Sequence, residues 1–547
     1  MSADAGPRRR PAPPAALARL ARTVGTLPAG LLVLALVLGM SGLPTSATDG
    51  AWRDQELVSG AVAVRLPRVC TTDGRYSATA RAQMLSGTLG PTDLSAVAGL
   101  GGVRAAHSGT AATVVPTTAT AVGAAAWRDP LAAGAVSGLV AADLSGALQL
   151  PAAGQATGVL QQYARATGDG EAQAAAGAVS DSGALLVGAS GAGASLLPGP
   201  ATVDLAALAP GTAGLAGLRL RVGAVGAGAT LDGCERDESR TWLTRGYGVA
   251  GLVLEADSPA VVALRAQAQA AAASAGARAV ALQGPLASTA SSRLLSLLGG
   301  VLQTSTATVT VDVPAAVAPL LQQTLTDGVV SVDLAAGRVR VDLAALAGGL
   351  DGRAPGTRVT LDAATAAAVS ARVDALLGAW SSTVAATVDA TVRAATVVVT
   401  SGVTVLGLGL QTLTISGTLG GLAAGQATSL TRVLVSLGDA TSVLSVLAAP
   451  VTAALTGAGG VLPVLTGTLA AALPPVAAAA SAATGAVGAA VALVLNAQEQ
   501  RAGAGTPATS DDSWSVTALR LELLAGTRAG GRVDLATAVV GPVVELP

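Results

Sequence analysis

What this chain can build its core from restricts its fold more than any other feature. Its 547 residues include no Phe, no Lys, one Ile (Ile415) and one Asn (Asn496), against 69 Gly. The depleted residues are those with AT-rich codons, so a GC-rich genome explains the bias, and any core must be assembled from Leu, Val and Ala. Five Trp and three Tyr must meet every need for a large aromatic surface. Stacking platforms for bases or sugar rings are therefore not expected. The net charge is −1, which gives no basic footprint for nucleic acid.

Arg8, Arg9 and Arg10 with Arg19 and Arg22 precede LPAGLLVLALVLGMSGL and then PTSA before Thr48. This basic, apolar, small order is that of a secretory signal peptide. The apolar run is short for a membrane span, so residues 1–47 are assigned to a signal peptide, with a retained signal anchor as the alternative. Export leaves Cys70 and Cys234 in the mature chain. They are either a disulfide or two free thiols. Composition divides the remainder into a β-rich, Gly/Ala-rich N-terminal part, 48–235, and a mixed α/β part, 236–547.

In the second part TVTVDV (Thr308–Val313) alternates, and VSVDLAAGRVRVDL (Val330–Leu343) alternates on both sides of Ala335, Ala336 and Gly337. It reads as an antiparallel hairpin with Val332, Leu334, Val339, Val341 and Leu343 on one face and Asp333, Arg338, Arg340 and Asp342 toward water. Strands are expected within 308–343, 396–420 and 514–541, the last with a phase slip at Ala518 of the kind a bulge causes. Asp362 is placed to cap a helix over 362–395 whose apolar stripe is Val369, Val373, Leu376, Trp380, Val384, Val388 and Val392. Trp380 on that stripe is expected in the core. Residues 440–498 carry no charge. Pro450, Pro463, Pro474 and Pro475 interrupt them, which favours packed helices within 421–498 over a membrane span. RAGAGTPATSDDS (Arg501–Ser513) reads as a linker or exposed loop. The fold class is α+β: an antiparallel, sandwich-like sheet scaffold with long Ala-rich helices packed on it.

Little in the sequence points to catalysis. His107 is the only histidine, so a triad or a histidine metal site would have to use it alone. Without Lys there is no Walker A loop and no Schiff-base lysine. Asp169, Glu171 and Asp181, in QYARATGDGEAQAAAGAVSDSGAL (Gln162–Leu185), could offer oxygens to calcium. Their spacing does not match an EF-hand loop, and a solvated turn is the simpler reading. No catalytic residue, metal site or cofactor is expected.

Four segments occur in a telling order: ATARAQMLSGTLGPTDLSAVAGLGGVRA (Ala78–Ala105), the Gln162–Leu185 stretch, GLVLEADSPAV (Gly251–Val261), and LVLNAQEQ followed by SVTALRLELL (Leu493–Leu524). In this order the chain resembles the choice-of-anchor G family. That resemblance implies an actinobacterial surface protein with a signal peptide, a shared ectodomain and no assigned activity. After VVGPVVELP (Val539–Pro547) there is no Leu-Pro-x-Thr-Gly signal, so covalent wall attachment is not expected. The expected role is that of an exported, secreted or surface-associated cell-envelope protein, structural or adhesive and not an enzyme. Its partners are unknown, with cell-wall components or other surface proteins as candidates and nucleic acid excluded. The alternative is contact with envelope lipid through the uncharged 440–498 region.

Overall fold

The computed structural model describes residues 75–546 except 90–91, 98–99, 132–146, 150–159, 188–196, 198–199, 209–216, 234–241, 299–300, 407–408, 434–440, 503–511 and 524–530. The signal segment 1–47, Cys70, Cys234 and most of the 501–513 linker lie outside the described residues.

The described strands form four antiparallel sheets. One runs, in spatial order, Thr357–Val359, Val491–Arg501, Ser513–Leu523, Gly531–Glu545, Tyr76–Leu89, Val103–Ser108 and Ala112–Val115. A second runs Leu243–Val249, Val225–Asp232, Glu171–Ala178, Leu160–Ala166, Ala126–Pro130 and Thr120–Gly123. These two pack on each other as a sandwich, and Trp242 meets Trp514 edge-on across it at a centroid distance of 4.9 Å. The third sheet contains the expected hairpin, Val330–Asp333 against Arg338–Asp342, with Val332 opposite Val339. The fourth is Val301–Thr310, Thr396–Val405, Gly409–Thr418 and Ser429–Val433. Strands from both sides of residue 235 share three of the four sheets, and Arg68–Pro547 cluster as one unit. The class is α+β, as the pattern implies.

The helix Ala363–Ala394 begins where Asp362 accepts the Thr365 N–H at 2.8 Å. Its buried stripe is the expected one with a single change: Leu377 is fully buried where Leu376 was expected, and Leu376 is half-buried. Counting four from Val373 reaches Leu377 and three more reaches Trp380, which keeps the stripe on one face. Trp380 is 3% exposed and donates its indole N–H to the Leu320 carbonyl at 3.0 Å, so it is a core residue.

Against this helix pack Pro259–Ala281, Val461–Ala472 and Pro474–Ala490, while Gln283–Leu298 lies on the fourth sheet. The Pro259–Ala281 helix has no clear sequence signature, because its inner face is mostly Ala268, Ala271, Ala272, Ala275 and Ala279 and its outer face is also rich in Ala. Such small faces allow close approach. A Cβ on Gly488 would lie 2.0 Å from the Leu361 carbonyl oxygen. Two expectations within 421–498 need correction. Ser429–Val433 and Val491–Arg501 are strands, the first at the edge of the fourth sheet and the second paired on both sides within the first. Pro450 lies inside the Thr441–Thr456 helix instead of ending it.

A crease crosses the first sheet. Pairing runs from Gln83–Thr537 to Leu85–Leu535, from Thr517–Thr537 to Leu519–Leu535, and from Leu495–Leu519 to Ala497–Thr517, so one rank is skipped on four adjacent strands. Met84, Ala536, Ala518 and Asn496 occupy that rank, and Asn496 and Ala536 have φ of 51° and 55°. Left-handed backbone costs a non-glycine residue about 1–2 kcal/mol, and Asn tolerates it best. The only Asn in the chain stands there, with its side-chain amide donating to the Arg353 carbonyl at 3.0 Å. The slip expected at Ala518 is thus one point on a line through the whole sheet.

Charge inside the fold is neutralised in place. Arg520 donates to Asp534 at 2.8 Å and to Glu499 at 2.6 Å, and Arg532 reaches Asp534 at 2.7 Å and Glu499 at 3.0 Å. Asp534 has only 2% of its side chain exposed. On the third sheet Glu255 faces Arg340 at 2.9 Å, with Arg221 and Arg338 each at 3.8 Å. The face expected toward water there is therefore half-buried and ion-paired. Asp534→Ala removes the buried partner of Arg520 and leaves it only the more exposed Glu499, which is expected to cost up to about 3 kcal/mol in denaturant unfolding; Arg358→Ala, on an exposed pair with Glu522, is expected to change little. Burial alone would raise the Glu499 carboxyl, but Arg520 and Arg532 outweigh it and hold it below the usual glutamate value. Its contribution is full above that usual value and is lost as pH falls through the depressed one, so Glu499→Gln should flatten part of the acid side of a melting-temperature profile.

Candidate functional site: a cleft lined by two arginines

The residues singled out in the sequence do not come together. Glu171 pairs with Arg165 at 3.0 Å, Asp169 accepts from the Thr167 hydroxyl, and Asp181 pairs with Arg128 and accepts the Gln161 amide at 2.8 Å. The stretch that holds them is a hairpin, Leu160–Ala166 against Glu171–Ala178, with Tyr163 buried. Among the described residues no group of three His, Cys, Asp or Glu side chains gathers as a metal site would. His107 lies on the Val103–Ser108 strand, where its Nδ1 accepts the Gly109 N–H at 3.0 Å.

A cleft of about 550 Å³ opens instead on the rim of the sandwich. Its walls include Arg81, Arg104 and Val115 from the first sheet, Asp129 from the second, and Pro116 and Thr118 from the segment between them. Arg81 and Arg104 are directly opposite in register, on the neighbouring strands Tyr76–Leu89 and Val103–Ser108. Like charges in that position repel. No described carboxylate forms an ion pair with either. Burial lowers the Arg81 pKa and the Arg104 charge lowers it further, with Asp93 opposing from a distance. Asp129 is half-buried, and burial raises its carboxyl above the usual range.

The crease also joins the two sheets. Met84 at the skipped rank has no ladder partner across to Ala536, and its N–H donates to the Gln162 side-chain oxygen at 3.0 Å. Gln162 is 1% exposed and is the cross-strand partner of Asp129, so the two side chains share a face. Its amide N–H₂ has no hydrogen-bond partner among the described residues.

The family model for a domain of unknown function, DUF8394, matches residues 80–541. The chain belongs to the DUF8394 family. No curated protein and no solved structure matches it. The match begins in the strand that carries Arg81 and ends in the strand paired with it, so the DUF8394 unit contains the whole cleft.

The sequence gives no local signal for this site. Arg81 and Arg104 are 23 positions apart with a turn between them, and only the strand register brings them together. Gln162→Leu keeps the volume but leaves the Met84 N–H without an acceptor. It is expected to destabilise the protein by about 1–3 kcal/mol, measured by urea unfolding, and to speed hydrogen exchange at the Met84 amide.

Proposed function

We propose that this DUF8394 protein is an exported cell-envelope protein with a structural or adhesive role, and that it holds its ligand without chemically changing it. The cleft carries this reading. Its ionisable groups are two arginines and one carboxylate, and arginine does not exchange its proton at neutral pH. Such walls suit binding an anion better than moving protons. The signal-like order of residues 1–47 and the resemblance to choice-of-anchor surface proteins support an envelope location.

Fractionation of the native host with mass spectrometry of the recovered chain tests the location. An N-terminus near Thr48 in medium, wall or membrane fractions is expected; a cytosolic chain that keeps Met1 would refute it. Purified mature protein should also sediment with isolated envelopes.

Contact with envelope lipid is a second reading, and one observation favours it. Val443–Ala490 has the length and apolar composition of a membrane-contacting segment, although it is broken into three consecutive helices, and only 33% of its most apolar window is buried. The exposed positions of these helices include Thr452, Thr456 and Thr466, so that face carries no charge. If it meets lipid, the mature protein floats with liposomes and a Thr452→Glu/Thr456→Glu/Thr466→Glu variant does not. Equal recovery of both in the soluble fraction removes this reading.

A further inference from the structure

We propose that the Arg81–Arg104 cleft binds an acidic saccharide, with the oxyanion held between the two guanidinium groups and a sugar hydroxyl donated to Asp129. The inference rests on the adhesive reading and adds the chemistry of the ligand.

The charge arrangement comes first. Arg81 and Arg104 are fixed opposite one another by six consecutive cross-strand pairs, from Ser77–Ser108 to Ala82–Val103. Arg520 and Arg532, also on neighbouring strands, share the carboxylates of Asp534 and Glu499. Here no described carboxylate fills that place. Two guanidinium forks on one side of a cleft match the oxygens of a carboxylate or phosphate, which accept charge-assisted hydrogen bonds from both.

The opposite wall sets the rest of the ligand. Asp129 would repel an oxyanion placed against it, so the group that meets Asp129 must be a donor. A molecule with an anionic end and a hydroxyl donor within a few ångströms of it is a sugar acid or a sugar phosphate. A volume of about 550 Å³ lies within the usual range for small-ligand sites and holds one or two such rings. The exposed Val115 and the ring of Pro116 at the rim give a sugar ring an apolar edge without an aromatic platform.

The test is calorimetric titration of the mature protein with glucuronate, glucose 6-phosphate, inorganic phosphate and glucose. At least one acidic sugar should bind, glucose should not, and whichever of uronate and sugar phosphate binds tighter identifies the anion. Arg81→Gln/Arg104→Gln should weaken binding about tenfold or more. Arg104→Gln alone, at an exposed position, should weaken it without lowering the melting temperature. Asp129→Asn should reduce affinity for the acidic sugar but not for inorganic phosphate. The proposal is overturned if no acidic sugar binds, if glucose binds as well, if the arginine variants bind equally, or if inorganic phosphate matches the sugar phosphate. Envelope sedimentation separates this failure from failure of the adhesive reading: wild type that still sediments while these titrations are negative leaves adhesion standing, and wild type that does not sediment removes it.

Discussion

The bond from the Met84 N–H to the Gln162 side chain joins the two sheets of the sandwich at the point where one of them gives up its own pairing. A skipped rank on four adjacent strands would leave backbone groups in the interior without partners, and each of those is expensive in a dry environment. Asn496 at one end of the line bonds through its own amide and carbonyl, and Gln162 serves Met84 near the other. At both points a group from outside the ladder replaces a bond the ladder lost, the Gln162 side chain at Met84 and the Gly356 N–H at the Asn496 carbonyl. Strand pairing sets Gln162 opposite Asp129, so the residue that repairs the sheet is the cross-strand neighbour of a residue that lines the cleft.

A core without Phe and with one Ile imposes its own geometry. Leu, Val and Ala bury less area per residue than aromatics, so the chain gains burial by bringing backbones close together. The Ala face of Pro259–Ala281 and the contact between Gly488 and Leu361 are results of this. So is the connectivity of the core, in which one cluster runs through both sandwich sheets and the helical layer. Polar groups in such a core must be paired locally. The four-residue network of Glu499, Arg520, Arg532 and Asp534 does this on three neighbouring strands.

What could be read from the sequence follows the strength of its periodicity. The hairpin around Gly337 and the helix after Asp362 were legible because a polar–apolar contrast repeats there with a fixed period, and the slip at Ala518 showed because Leu519, Leu521 and Leu523 fall out of phase with Trp514 and Val516. The helices of 259–298 were not legible, since Ala on every side carries no contrast. The 491–501 strand was hidden by the uncharged run before it, which reads as helix until the sheet claims it. The cleft lies furthest from legibility: Arg81, Arg104, Asp129 and Gln162 come from four strands in two sheets, and no local pattern encodes a register. The acidic residues of the Gln162–Leu185 stretch drew attention as a possible calcium site, yet each is committed to a nearby partner. The residue there that pairs with a strand position lining the cleft is Gln162, opposite Asp129, and its neutral side chain gave no signal.

The DUF8394 match spans 80–541, and its limits fall in Tyr76–Leu89 and Gly531–Glu545, which pair with each other over nearly their full length. A domain closed by its own first and last strands cannot form that sheet until both ends of the chain are present, so its closing contacts are among the longest-range in the molecule. Arg81 sits on one of those strands, opposite Val539 on the other side and Arg104 on the near side. The repulsion between the two arginines is therefore carried by the pairing that closes the domain. An anion bound between them would relieve it and stabilise the closed form by mass action. Ligand binding and domain closure would then be linked through a single strand.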